Sequence, residues 1–536
     1  MLQTALIFQN HMMLQREKPL KIWGTADPGA QVEVSVQGRK AVCTADESGA
    51  WHAQLEPLNA SLQEQVVIRA GEEELTLTDV EVGDVWLAGG QSNMEFHMRY
   101  DADMQESLKT CEDDSLRFFD YPEVSYPGQL EEHDYLKNYG FWRKAAPDQL
   151  ERFSAPAYYF ARRIRKTAGV PVGIIGCNWG GSPACAWMSR EHIAAGGGQV
   201  FLNEYEEAVK NLDLDAYWAA FKTNPMNDRS DQLADPIGDL MLFGCTMEEF
   251  AAKLAEMGVD LSAMDPAAFL PQVGPGYERR PSALYESMLT QIAPYVLKGF
   301  LYYQGETDGD THPECYRTLF PELIRNWREL WGEELPFLFV QIAPLEQWMQ
   351  CNGTPYAIIR AAQQHTADTV PGTGMASTSD VGMQWDIHPK KKQPVGERLA
   401  LLAEKLAYGK DVVCDAPILR SIEKTQIENG AQLILHFDDT ADGLSLCGVT
   451  PYGDEIRGDQ LGGLVLKQQD AEGNWQELDL SAAAAQAAGE EVRISGVSYD
   501  DGKPVRAELA QTGWYQENLY NRAGLPARPS AAVTEA

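Results

Sequence analysis

Residues 82–94 read VGDVWLAGGQSNM, a short apolar run that leads into a Gly-Gly turn and then to Ser92. A continuous apolar run is typical of a strand that is covered on both faces, as the strands of parallel sheets are. An open parallel sheet carries its functional residues where its strands end. We therefore expect Ser92 to lie at the carboxyl edge of such a sheet, directly after a buried strand.

Further strands of this kind alternate with helical patterns along the middle of the chain. The sequence predicts buried strands at 172–176, 298–303, 335–342 and 374–376, and helices at 158–165 and 395–406. Strands that alternate with helices predict an α/β domain in which a parallel sheet is covered by helices on both faces. We place this domain at residues 80–410.

The residues before this domain have a different pattern. Short alternating strands such as 31–36 are separated by turn residues at intervals of about 8 to 12 residues, which predicts a small β-sandwich. We assign it residues 1–79. Within the α/β domain, residues 196–281 shift to Ala, Leu, Glu and Met with helical spacing, as at 247–254, which predicts a helical insertion.

The residues after the α/β domain return to strand patterns, for instance at 433–437 and 492–494. An Ala-rich segment at 482–488 interrupts them. We assign residues 411–536 to a C-terminal all-β domain of sandwich or jelly-roll type. The sequence leaves open whether the two β domains bind glycan, shape the cleft or form an oligomer interface.

Composition limits the partners of the chain. Its 536 residues exceed the size of one average domain, and 44 basic against 79 acidic residues give a net charge of −35. Such a charge repels nucleic acid and anionic membranes. No run approaches the roughly 18 apolar residues of a membrane span, and the N-terminus lacks the basic region of a signal peptide, so we expect a cytoplasmic protein.

The nine cysteines are scattered and form no C-x-x-C pair, which predicts neither a disulfide framework nor a zinc site.

The segment Asp386-Ile387-His388-Pro389 pairs a carboxylate with an imidazole. In an extended chain residues i and i+2 project on the same side, so Asp386 can orient His388 and stabilise its cation. The alternative is a solvated loop beside the basic run 390–392. For Ser92 the alternative is an ordinary helix N-cap, and Met94 replaces the second glycine of the Gly-x-Ser-x-Gly elbow found in α/β hydrolases.

Two further segments offer donors for a negatively charged oxygen. An oxyanion site needs preorganised N–H groups about 3 Å away, and the backbone N–H of Gly181 and the side-chain amide of Gln304 are of this type. The alternatives are a plain tight turn at Gly181 and a satisfied buried amide at Gln304. Glu306 is a weaker candidate, since an acidic loop residue is most often solvated.

Taken together, the segments resemble the sialate O-acetylesterase family of the SGNH (GDSL-like) serine hydrolases. The resemblance covers nearly the whole chain. It is carried by 90–95, 153–155, 159–162, 170–173, 178–182, 186–187, 284–285 with Met288, 294–295, 298–299, 303–306, 360–363, 386–389, 396–399, 518–521 and 524–527.

The resemblance implies a three-layer SGNH fold for the α/β domain and a role for each candidate residue. Ser92 would be the nucleophile, His388 the general base and later general acid, and Asp386 the residue that orients His388. The backbone N–H groups of Ser92 and Gly181 and the side chain of Gln304 would hold the oxyanion. No metal or organic cofactor is implied.

The chain departs from the family pattern at three places. Ser182 stands where the family usually has Thr, and Tyr303 where it often has Trp. The stretch 383–385, Met-Gln-Trp, replaces a more polar stretch directly before Asp386. None of these changes removes a catalytic group, but the last leaves the acceptor sugar open.

The implied activity is the removal of acetyl groups from the hydroxyls of a small sugar, with a sialic acid as the first expectation. One alternative substrate is an acetylated plant oligosaccharide of xylan or mannan type. A different class of function, a non-catalytic carbohydrate-binding protein, would not be expected to keep every candidate catalytic residue. Self-association of the chain is left open by the sequence.

Substrate contacts can be suggested from residue type. Aromatic side chains that could stack on a sugar face, and that could equally belong to the core, are Trp179, Trp187, Tyr303 and Trp385. Cations that could hold the carboxylate of a sialic acid are Arg360 and the lysines of 390–392. For the lysine run, a solvated surface role is the ordinary expectation.

Overall fold

The computed structural model describes residues 1–132, 134–135, 139–224, 227, 236–244, 246–256, 272–427 and 430–534. The chain divides into two compact units. Unit 1 comprises Met1–Gln304 and Thr318–Phe337, and unit 2 comprises Gly305–Arg317 and Leu338–Ala536. The three domain boundaries drawn from the sequence do not coincide with this division and stay a prediction.

The strands up to residue 304 belong to unit 1. They are β1 (Gln3–Thr4), β2 (Met13–Gln15), β3 (Leu20–Thr25), β4 (Gln31–Val36), β5 (Arg39–Thr44), β6 (Ala50–Leu55), β7 (Ser61–Ala70), β8 (Glu73–Gly90), β9 (Asp113–Asp120), β10 (Trp142–Ala145), β11 (Val172–Asn178) and β12 (Gly299–Tyr303).

Later strands follow in chain order. They are β13 (Phe337–Val340), β14 (Gln347–Trp348), β15 (Cys351–Asn352), β16 (Thr373–Ala376), β17 (Ile418–Ile427), β18 (Gly430–Asp438), β19 (Leu444–Leu446), β20 (Leu464–Gln469), β21 (Trp475–Glu477), β22 (Ala484–Ala488), β23 (Glu491–Ser495), β24 (Val505–Leu509), β25 (Leu519–Asn521) and β26 (Ser530–Val533).

The α-helices lie between these strands. They are α1 (Ser92–Glu95), α2 (Met104–Leu108), α3 (Ala155–Ala168), α4 (Arg190–Ala195), α5 (Gln199–Val209), α6 (Leu214–Thr223), α7 (Pro236–Phe243), α8 (Met247–Glu256), α9 (Thr290–Ile292), α10 (Glu306–Asp310), α11 (Tyr316–Trp331), α12 (Tyr356–Thr369) and α13 (Gln393–Leu406).

The central sheet of unit 1 is mixed, with strand order β10-β9-β11-β8-β12. β11 runs parallel to both β8 and β9, β12 runs parallel to β8, and only β10 is antiparallel to its neighbour. Every residue of β11 and β12 is buried. The predicted buried, parallel strands are therefore confirmed for this sheet, and they carry the uninterrupted apolar runs that such burial requires.

The N-terminal strands form antiparallel ladders. One sheet consists of β1, β3 and β6. In the other, β5 pairs with β4, β4 pairs with β7, and β7 pairs with the first half of β8. In β4 and β6, buried and more exposed side chains alternate, as expected where one face meets a core. β8 then continues as the parallel strand that ends at Gly90, which ties these ladders to the central sheet.

The predicted helical insertion at 196–281 contains α5 to α8. α8 covers the predicted helix at 247–254 in full. Residues 257–271 of the predicted insertion lie outside the described residues.

Unit 2 contains the strand pair β13 and β16, followed by all-β sheets. Their strand orders are β17-β18-β23-β22 and β21-β20-β24-β26, with β19 paired to β25. A buried cluster that includes Leu433, Leu435, Leu466 and Ile494 forms their core. The predicted return to β structure after residue 410 is confirmed.

The Ala-rich segment at 482–488 is not an interruption of this β structure. Residues 484–488 form β22, which pairs antiparallel with β23 from Ala484↔Ser495 to Ala488↔Glu491. Alanine has a low intrinsic preference for strands, but pairing with a buried neighbour overrides it. Ala485 and Ala487 are half-buried and pack against the core, while their neighbours are exposed.

None of the helices in the described part of the chain is long and apolar enough to cross a membrane. The eight cysteines among the described residues are free thiols.

Candidate active site

Three parallel strands of unit 1 end at the same level. Gly90 at the end of β8 pairs with Asn178 of β11 on one side and with Tyr303 of β12 on the other. The Gln91 N–H donates to the Tyr303 carbonyl at 3.0 Å, and the Trp179 N–H donates to the Gly90 carbonyl at 3.1 Å. The segments that follow these strands therefore leave the sheet side by side.

Gly90 is required at this position. Its φ of +133° is disfavoured for other residues, and a Cβ there would collide with the Tyr303 carbonyl oxygen. After this turn α1 begins at Ser92, which is half-buried, and Gln91 holds the N-cap position. The alternative in which Ser92 caps the helix is therefore wrong.

The turn at Gly180 and Gly181 lies against Ser92. A Cβ at Gly180 would be 3.5 Å from the Ser92 Cβ, so the turn approaches the serine closely. The Gly180 N–H donates to Glu95 Oε2 at 2.6 Å, and this bond holds the turn in place. Gly181 has a φ of +71°, the left-handed conformation that glycine adopts without strain.

Gln304 is buried next to the same turn. Its Nε2 donates to the Ser182 carbonyl at 3.3 Å, and the Tyr302 hydroxyl donates to its Oε1 at 3.4 Å. These bonds hold the amide in one orientation. Unit 1 thus brings together Ser92, Gly181 and Gln304 at one sheet edge.

Asp386 and His388 lie together in unit 2. Both side chains are buried, and Asp386 Oδ1 is 3.6 Å from His388 Nδ1. The same Oδ1 accepts the His388 backbone N–H at 2.8 Å, while Oδ2 pairs with Lys390 Nζ at 2.9 Å. The separation of 3.6 Å exceeds a normal hydrogen bond, and such bonds commonly tighten only when substrate is bound. The alternative of a solvated loop is wrong, since both side chains are buried.

Burial and neighbouring charges set the ionisation of this pair. Burial raises the pKa of Asp386, but the proximity of His388 and the charge of Lys390 outweigh it, and the net pKa is below the usual value. Burial lowers the pKa of His388, Asp386 raises it, and Lys392 and Lys390 lower it, again with a net decrease. His388 is therefore neutral at pH 7, the form that accepts a proton.

A family model described as "Carbohydrate esterase, sialic acid-specific acetylesterase" matches residues 205–404. The sialate O-acetylesterase of Mus musculus is 29% identical over 457 residues, which are 78% of this chain and 76% of that protein. That of Homo sapiens is 27% identical and covers 78% of this chain and 74% of its own. The crystal structure of a carbohydrate acetylesterase from Xanthomonas citri is 27% identical, has a TM-score of 0.69 and covers 99% of both chains.

These matches support the sialate O-acetylesterase family for this chain. They agree with the family resemblance seen in the sequence.

Several sequence-based suggestions about substrate contacts are wrong. Arg360 is fully buried, bonds the carbonyls of Thr512 and Gly513 and lies 5.2 Å from the centre of the Tyr515 ring. It holds the backbone together and is closed to substrate. Lys392 is fully buried as well, so the lysine run is not simply a solvated surface.

The aromatic candidates differ in exposure. Trp187 and Tyr303 are fully buried, and the Trp187 Nε1 donates to Ser182 Oγ at 2.9 Å. These two are core residues. Trp179 is largely buried, whereas Trp385 is 64% exposed and stays available for stacking on a sugar. Glu306 is buried at the start of α10, so its assignment as a solvated loop residue is wrong.

Three neighbours of the candidate residues were given no role from the sequence. Glu95 holds the Gly180 N–H, as described above. Trp348 meets the His388 ring edge to face at a centroid distance of 5.1 Å. Arg279 lies across Gly181, where a Cβ would collide with its guanidinium group. Glu95 belongs to the 90–95 segment that carries the resemblance, but no motif or spacing marks Trp348 and Arg279, which contact His388 and Gly181 from separate segments of the chain.

Replacing Lys390 with Gln should move the acid limb of the pH profile. Lys390 lowers the pKa of His388, so its removal raises that pKa. Because the base must be neutral, activity is lost as pH falls through this pKa. We expect the acid limb of kcat/KM to move to higher pH. Lys391→Gln, in the same run, is the matched control, and an unshifted limb in Lys390→Gln would contradict the assignment.

Proposed function

We propose that this protein is a carbohydrate O-acetylesterase that uses Ser92 as its nucleophile, His388 as its base and Asp386 to orient the base. One observation carries the proposal. β8, β11 and β12 end in register with one another. The Ser92 turn, the Gly181 turn and Gln304 therefore all follow from the same edge of the sheet. A nucleophile beside a set of N–H donors is the arrangement that acyl transfer needs.

In the first half of the reaction the Ser92 hydroxyl attacks the carbonyl carbon of the acetyl ester while neutral His388 takes the hydroxyl proton. The carbonyl oxygen becomes negatively charged in the tetrahedral intermediate. The N–H groups of Ser92 and Gly181 and the Gln304 amide donate to it. Because the Gly180 N–H is already bonded to Glu95, Gly181 is the donor available in this turn.

Collapse of the intermediate breaks the bond to the sugar oxygen. His388 returns its proton to that oxygen, so the sugar leaves as an alcohol and Ser92 keeps the acetyl group. In the second half His388 takes a proton from a water molecule, the resulting hydroxide attacks the acetyl carbonyl, and the proton returns to Ser92. The products are acetate and the free serine.

The sugar is proposed to be a sialic acid, in line with the family. A sialic acid carries a carboxylate, and Arg279 offers a cation beside the Gly181 turn. The Arg279 side chain is 43% exposed and its Nε lies 3.5 Å from Glu278 Oε1. Arginine binds carboxylates through paired N–H donors, so Arg279 replaces Arg360 as the proposed carboxylate ligand.

The test is acetate release from two substrate pools, O-acetylated sialic acids and acetylated xylo- and manno-oligosaccharides. Release mainly from the first pool supports sialate specificity. Release mainly from the second keeps the esterase mechanism and overturns the proposed sugar. If the wild type released acetate from neither pool nor from 4-nitrophenyl acetate, the esterase proposal would be rejected.

Arg279→Gln should weaken use of acidic substrates selectively. Loss of a hydrogen-bonded charge pair costs about 1.5 to 3 kcal/mol, which corresponds to a rise in KM for an O-acetyl sialic acid of roughly 10- to 100-fold. KM for 4-nitrophenyl acetate should stay unchanged. Arg190→Gln is the matched control, because Arg190 is 44% exposed and forms a surface pair with Glu206. Equal effects of Arg279→Gln on both substrates would contradict the assignment.

A further inference from the structure

A cavity of about 300 Å³ lies in unit 2 and has no role in the proposed reaction. One side is formed by residues 379–384, the segment that leads to Asp386. The other side is formed by residues of the C-terminal β region, from 450–454 and 514–517. Its volume is at the lower end of the range for small-molecule sites.

Aromatic side chains give the cavity an apolar wall. The Tyr452 hydroxyl donates to the Val381 carbonyl at 2.8 Å, which fixes the position of its ring. Trp514 is half-buried and lines the same cavity. Such side chains offer a broad apolar face together with a polar group, the combination that suits a ring with C–H and hydroxyl groups.

Glu517 supplies a buried polar group. Its Oε1 accepts the backbone N–H groups of Asn518 at 3.0 Å and Leu519 at 2.8 Å. No group in the described part of the chain forms a hydrogen bond with its buried Oε2. Burial raises the pKa of Glu517 to about 8, so the carboxyl is protonated at pH 7. Buried polar groups normally form hydrogen bonds. A ligand hydroxyl in the cavity would form a hydrogen bond with the Glu517 carboxyl group.

The charges around the cavity select the class of ligand. Asp380 is paired with both terminal nitrogens of Arg398, each at 2.7 Å, and also accepts the Tyr520 hydroxyl. Asp454 is the remaining carboxylate of the lining, and it forms no salt bridge with the described residues. One carboxylate is too few for a bound metal ion, and it disfavours a negatively charged ligand.

We infer that this cavity binds a neutral glycosyl unit, with its ring against Trp514 and Tyr452 and one hydroxyl bonded to Glu517. Gln384 also lines the cavity, two residues before Asp386. The bound sugar would therefore adjoin the segment that carries the proposed catalytic carboxylate. This gives the C-terminal β region a role in glycan recognition, which the sequence left open.

The inference goes beyond the proposed esterase activity, and its test needs no turnover. Binding of unacetylated xylotriose, mannotriose and N-acetylneuraminic acid to the full chain is measured by calorimetry at pH 7. We expect at least one neutral trisaccharide to bind and to bind more tightly than N-acetylneuraminic acid. Trp514→Ala and Glu517→Leu should each weaken that binding at least about 10-fold, whereas Glu517→Gln, which keeps a donor, should stay within about 3-fold.

Trp475→Ala is the matched control, since Trp475 is a half-buried tryptophan of the same β region that does not line the cavity. It should leave binding unchanged. Thermal unfolding reports whether each variant is folded, and Trp514→Phe replaces Trp514→Ala if the latter is not. Absence of binding by both neutral sugars up to about 10 mM, or equal binding by the wild type and the folded cavity variants, would overturn the inference.

Discussion

Replacing Ser92 with Ala should lower kcat for acetate release by at least about 10³-fold. Without the hydroxyl no acetyl-enzyme forms, and the remaining groups can only assist direct attack by water. KM should change little, because Ser92 contributes a reacting atom rather than a binding surface. Acetate release from the preferred sugar, measured at saturating substrate, provides the value of kcat.

The control for this variant is its stability. Ser92 is half-buried at the start of α1 and Ala favours helices, so the thermal midpoint should stay close to that of the wild type. Asn93→Ala is not a suitable comparison because Asn93 is buried. A folded Ser92→Ala protein that keeps more than about a tenth of the wild-type kcat would rule out Ser92 as the nucleophile.

Replacing Asp386 with Asn should lower kcat by about 10²- to 10⁴-fold. Asparagine is neutral and cannot stabilise the imidazolium that forms during the attack. Because Asp386 raises the pKa of His388, the variant should also lower that pKa and weaken the base. A kinetic study across pH should therefore show both a reduced plateau and an acid limb at lower pH.

The loss of the Lys390 ion pair has to be separated from this effect. Asp386 pairs with Lys390 at 2.9 Å, so Asp386→Asn also leaves a largely buried ammonium group without its carboxylate. Lys390→Gln removes the same ion pair but keeps the carboxylate beside His388. If the two variants lost activity equally, Asp386 would act through structure alone and not by orienting His388.

The sequence predicts three strands of the unit 1 sheet, β8, β11 and β12, because each of them carries its own signal. β11, β12 and the last six residues of β8 (85–90) are almost entirely apolar and end in Asn178, Tyr303 and Gly90, so their type and order along the chain can be inferred locally. Ser92, Gly181 and Gln304 follow directly from these ends. The positive φ values of Gly90 and Gly181 explain why glycine occupies both turns.

Contacts between distant segments are not encoded in any local pattern. Arg279 reaches Gly181 from about a hundred residues away, and Trp348 reaches His388 from forty residues away. Arg360 was assigned to substrate on its charge alone, but its burial against Tyr515 depends on the tertiary fold. β22 shows the same dependence on tertiary structure. Its alanines have a low preference for strands, and they form one because β23 pairs with them.

In the proposed reaction Ser92 is the residue that becomes acylated. The most direct measurement is the reaction of the folded protein with a fluorophosphonate, which modifies activated serines, followed by peptide mass spectrometry. We expect one modification per chain, on Ser92, with loss of acetate release in proportion to labelling. Labelling of a different residue in parallel with the loss of activity, or full activity in protein that is labelled at Ser92, would contradict it.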